Sequence, residues 1–147
     1  MTDGTRDLER RPSGVDDATV EALGTLAAAL DFVEMARGHL FSFHKLMASV
    51  DRKFGQGTEE LRAAGHNDLA DALNEEVLGL NPLPGMWSFQ MVEGFDDGYY
   101  ATIKGLEKRA RDELVEGRRH VFEAEMKALR RTPGEEGHEA APGEPTE

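Results

Sequence analysis

The sequence predicts an all-α protein, and three observations predict it. Ala, Leu, Glu and Arg are abundant, while aromatics make up only 7% of the chain and Ile occurs once, at Ile103. A sheet core would draw on many more β-branched side chains, and this composition favours helix. Apolar residues return every three or four positions over long stretches, and Gly and Pro gather at the few places that divide them. With 147 residues the chain has the length of one domain. The expected architecture is two long antiparallel helices with a shorter one between them. They would form a hairpin or bundle, or a dimeric four-helix-type bundle with coiled-coil-like packing.

Residues 1–16 lack periodicity and contain Gly4, Pro12 and Gly14, so they read as a disordered leader. The helical domain is expected over 17–131. The first helix starts near Asp17, where Asp16, Asp17 and Thr19 can cap it and early acids suit the helix dipole. Leu23, Leu26, Leu30, Val33, Leu40, Met47 and Phe54 form one apolar stripe. Phe32, Met35, Phe43, Leu46 and Val50 form a second beside it. A helix apolar on two sides needs more than one partner. Gly55-Gln56-Gly57 is expected to stop it.

Thr58 is read as the N-cap of the second helix, whose stripe is Leu61, Leu69, Leu73 and Val77 and whose end is marked by Gly79. Gly65-His66-Asn67-Asp68 offers a break within it. Pro82 and Pro84 then forbid a continuous helix. A third helix is expected from Trp87 or Ser88 to Arg131, with Val92, Tyr99, Ile103, Leu106, Ala110, Leu114, Val121 and Ala128 on its stripe. The tail, 132–147, holds three Pro, three Gly and five Glu, and is expected to be disordered and acidic.

The net charge is −12, and residues 19–131 account for only −5 of it, with 19 acids against 14 bases. The densest basic cluster, Lys104, Lys108, Arg109, Arg111, Arg118 and Arg119, is interleaved with acids. A nucleic acid is therefore a poor partner, because phosphate neutralisation needs clustered Lys and Arg. The absence of Cys excludes disulfides and thiolate chemistry and fits the cytoplasm. No apolar run approaches the length of a membrane span, and the N-terminal stretch does not read as a secretory signal.

Three sets of residues could carry chemistry. Glu113, Glu116, His120, Glu123 and Lys127 are spaced by three and four on the third helix, so Glu116, His120 and Glu123 would share a face. Asp31, Glu34, His39 and His44 on the first helix, and Glu93 with Asp96 on the third, could complete a carboxylate–histidine site for Fe, Mn or Zn. Against this, Glu and Lys at such spacing are ordinary stabilisers of an exposed helix face. The familiar Glu-x-x-His repeat is also missing: His120-x-x-Glu123 runs in the opposite order and occurs once. No cofactor is expected on the leading reading.

The second set is Arg37, His44 and Asp51, spaced by seven within the main stripe of the first helix, with Asp96 interrupting the third. Buried polar groups need partners. Arg37 with Asp96 would be a register-fixing pair, or the four residues could line a polar pocket. The third set, Trp87, Phe89, Tyr99 and Tyr100, could form a surface for a ligand or a protein partner, or a plug over a helix end. No phosphate loop, nucleophile elbow or dinucleotide fingerprint is present.

The run from Trp87 to Tyr100 (WSFQMVEGFDDGYY) and the run from Arg119 to Lys127 (RHVFEAEMK), followed by Arg130, Arg131 and Thr132, resemble a group of uncharacterised small helical proteins of GC-rich bacteria. The resemblance covers roughly residues 20–139. It implies a stand-alone helical unit and transfers no activity and no site. The expectation from the residues is a non-enzymatic protein acting by self-association, as a homodimer, or by binding a protein partner. The alternative is the metal-binding bundle.

Overall fold

Asp17 opens a helix of 47 residues that runs to Ala63, here α1. The structure is a computed structural model and describes residues 10–140. Asp16 caps α1, its carboxylate accepting the Thr19 N–H at 2.8 Å, and Asp17 adds an acid to the first turn. Then follow α2 (Asn67–Glu76), α3 (Ser88–Phe95), a π-helical turn (Asp96–Tyr100), α4 (Ala101–Val115) and α5 (Val121–Arg130). The described residues are all-helical apart from turns and one isolated bridge, Leu83 with Met86.

Gly55-Gln56-Gly57 does not end the first helix. Two helical glycines cost about 2 kcal/mol together, and local bonds offset that cost. Thr58, expected as a cap, is buried, and its hydroxyl donates to the Phe54 carbonyl inside α1. Gln56 accepts from Lys53 and donates to Glu60. The real stop is Gly65, with φ +90°, where the Gly65 and His66 N–H groups bond back to Arg62 and Leu61. That paired bonding closes the helix in a Schellman motif.

The expected third helix also divides. It is helical from Ser88 to Val115, with the π turn inside, then breaks at Glu116 (φ 56°), Gly117 (φ 74°) and His120 (φ 56°). The cause is burial. Val115 and Val121 are six residues apart, so in a straight helix they would point about 120° apart. The break allows both into one core.

The chain forms two compact units: residues up to 32 with those from 102 onward, and residues 33–101. In the first unit Val20, Leu23, Val115 and Val121 are buried together, with Val15, Ala110 and Phe122 packed against them. Gly24 lies against the Phe122 ring so closely that an added Cβ would sit 2.7 Å from Phe122 Cγ. Residues 10–16, placed in the expected leader, join this unit. Pro12 is buried, Val15 packs on the core, and Arg11 pairs with both Asp17 and Glu125. Residues 1–9 of that leader and 141–147 of the expected tail lie outside the described residues. Residues 132–140 make local turns, with the Thr132 N–H donating to His138 Nδ1.

In the second unit Thr58, Ala70 and Val92 are buried, and Arg62 of α1 bridges to Asp71 of α2 at 2.6 Å. Most large apolar side chains of this unit remain open to solvent, which is unusual for a finished core.

Candidate functional site

The heptad-spaced polar residues of α1 each find a partner within the second unit. Arg37 grips Asp96 with two parallel bonds, Nε to Oδ1 at 2.7 Å and an Nη to Oδ2 at 2.9 Å. Such a fork is the strong form of the ion pair. It holds the Asp96 carboxyl below its ordinary value of 3.8, against the opposing effect of desolvation, and raises the guanidinium. The Arg37 guanidinium also lies 5.3 Å from the centre of the Tyr100 ring, within cation–π range. The Tyr100 hydroxyl donates to Glu34 at 2.7 Å, and Phe95 stacks on the same ring.

His44 Nδ1 meets Ser88 Oγ at 2.8 Å. Asp51 accepts the Gly79 N–H at 3.1 Å. As α1 proceeds through Glu34, Arg37, His44 and Asp51, the partners step back through Tyr100, Asp96, Ser88 and Gly79. His44 and Ser88 have the elements of a base and a nucleophile, but among the described residues no carboxylate bonds to His44, and such pairs depend on a third group. The ladder ties α1 to the 79–100 stretch within the second unit.

The π turn was not legible in the sequence. The Ala101 N–H reaches back five residues to the Asp96 carbonyl, the bond that defines the π form. Asp96-Asp97-Gly98 is the only advance signal: three poor helix formers in a row.

The residues proposed as metal ligands do not assemble. Glu116 and His120 sit in the left-handed conformation at the break, while Glu123 lies in α5, so the row does not share one helix face. Glu116 instead accepts from Arg118. Glu34 and His44 are occupied in the ladder. His39 and Asp31 are exposed on α1. Among the described residues no group of three or more His, Asp or Glu converges as a metal site.

Trp87 is 58% exposed and meets Phe89 edge-to-face at 5.3 Å. Tyr99, also exposed, packs on Phe95 rather than on Trp87. The Trp87 backbone N–H donates to Gln90 at the start of α3. Leu83 and Met86 are exposed beside it in the chain.

The second stripe of α1 is largely uncovered. Met35 and Leu46 are 60% and 63% exposed, Phe43 and Val50 are exposed as well, and so is Phe54 at the end of the first stripe. Between Met35 and Phe54 the helix carries four bases and one acid, in a chain of net charge −12. The one acid, Asp51, points to Gly79 in the ladder. The stripe itself is free of carboxylates. No helix of the described residues is long and apolar enough to cross a membrane.

No family model, curated protein or solved structure matches the chain.

Proposed function

We propose that this protein is a non-enzymatic association module of the cytoplasm that works as a homodimer. The observation that carries the reading is the carboxylate-free apolar stripe of α1, open to solvent from Met35 to Phe54. Exposed apolar surface of this continuity marks an interaction site. The stepped order of the ladder supports opposite directions for α1 and the 79–100 stretch within the second unit. Such a two-element layer buries one side of α1 and leaves the other for a second copy, the arrangement of a dimeric four-helix-type bundle.

Multi-angle light scattering from low to high micromolar concentration tests the reading. A mass of twice the chain's 16.2 kDa is expected. A mass of one chain throughout the range refutes it.

The Trp87–Phe89 patch gives a second, smaller apolar surface, which suits a protein partner. Trp87 is the only tryptophan, so its fluorescence reports binding there directly. An unshifted emission maximum in the presence of a captured partner would remove that role.

A further inference from the structure

Phe43, Leu46 and Val50 of the exposed stripe fall, with Ala36, His39 and Lys53, on a strict alternation of three and four residues along α1. All six are solvent-open or partly so on α1, and the spacing is that of a coiled-coil seam. The residues along its open flank, Met35, Ser42, Ser49 and Gln56, are uncharged. The seam thus lacks the flanking charges that usually set partner choice, and its own side chains must set the direction.

A parallel pairing would place like residues opposite one another. His39 would face His39, and Lys53 would face Lys53, which brings two ammonium charges together. Phe43 would crowd Phe43 while Ala36 left a gap at Ala36, so the layers would be uneven.

An antiparallel pairing removes each of these conflicts. When Phe43 sits opposite the partner's Leu46, His39 falls opposite the partner's Val50 and Ala36 opposite the partner's Lys53. Every one of the six residues then has a partner. The lysine stem lies over the smallest residue, and its ammonium reaches water.

We infer that a second copy of this chain docks antiparallel on the α1 seam, with the two-fold axis between His44 and Lys45. The inference rests on the self-association proposed above and adds its surface, direction and register. The occupant is a second copy because the seam complements itself residue by residue in the antiparallel register.

Disulfide trapping tests the register cleanly, because the chain has no cysteine. Ala36→Cys and Lys53→Cys are exposed positions that remove no large apolar side chain. A disulfide needs Cα atoms within about 7 Å. In the antiparallel pair, Ala36 lies beside the partner's Lys53 and about 25 Å along the helix from the partner's Ala36. An equimolar mixture of the two full-length variants, exchanged and then oxidised, is expected to give the mixed covalent dimer, and each variant alone is expected to stay uncrosslinked. If each variant crosslinks to itself, the pairing is parallel and the inference is overturned while self-association stands. A dimer by light scattering that yields no crosslink in any mixture also overturns it, since the interface is then elsewhere. A monomer at every concentration removes the self-association reading itself.

Discussion

Arg37 and Asp96 are 59 positions apart in sequence and meet in a bidentate ion pair that ties α1 to the first residue of the π turn. The pair is only partly shielded, and the Tyr100 ring lies over the guanidinium. Removing one partner leaves the other charge without its fork. Asp96→Asn and Arg37→Met are each expected to lower the thermal midpoint. The double replacement should lose less than the sum of the two, because the second change removes a charge already stranded by the first. Additive losses in that cycle would show that the pair does not hold the register.

The same pair and its counterpart in the first unit contribute to stability against acid. Arg37 holds the Asp96 carboxyl below its ordinary 3.8, and Arg11 holds Glu125 below its ordinary 4.5. For a carboxyl depressed in the folded state, the unfolded chain binds the proton first. The stabilising contribution is therefore complete above the ordinary values and is lost as pH falls through the depressed ones. The thermal midpoint should stay level from neutral pH to about 5 and drop below about 4. A midpoint that rises on acidification through that range contradicts the assignment.

Gly24 is a helix position where Ala would ordinarily be favoured by about 1 kcal/mol. Here the added methyl would meet Phe122 Cγ at 2.7 Å, and overpacking of that kind costs about 1–3 kcal/mol. Gly24→Ala is expected to destabilise the protein in chemical denaturation, and Phe122→Leu to recover part of the loss. Stabilisation by Gly24→Ala in the native background would mean that α5 does not pack on α1 at this point.

Gly117 tests the break between α4 and α5. Its φ is +74°, and a Cβ there would lie 3.0 Å from an Asp112 carboxylate oxygen. Gly117→Ala should cost about 1–2 kcal/mol, the left-handed penalty of an L-residue. A continuous helix through this point would instead gain from the change, so a higher melting temperature for Gly117→Ala contradicts the break.

The helical class was legible because it depends on periodicity, which is local. The heptad of Arg37, His44 and Asp51 was legible for the same reason, and their partners then had to be polar groups on the neighbouring stretch. The boundaries were not legible. Gly55 and Gly57 look like a stop, yet Thr58 and Gln56 carry the helix through by bonds that only a formed helix offers. The break at Glu116–His120 answers to the burial of Val115 and Val121 against Val20 and Leu23, which are about a hundred positions away in sequence. The metal row failed at that same break, because its spacing had meaning only in an unbroken helix.

Sedimentation equilibrium of Leu46→Glu beside the wild-type chain tests the central claim most directly. Leu46 is 63% exposed within one chain, so the change should leave the helical content and fold of the protomer intact. Each dimer would lose two buried leucines and bring two charges to the seam. Association should weaken by roughly a thousandfold or more. Equal association constants for the two proteins would contradict docking through this face.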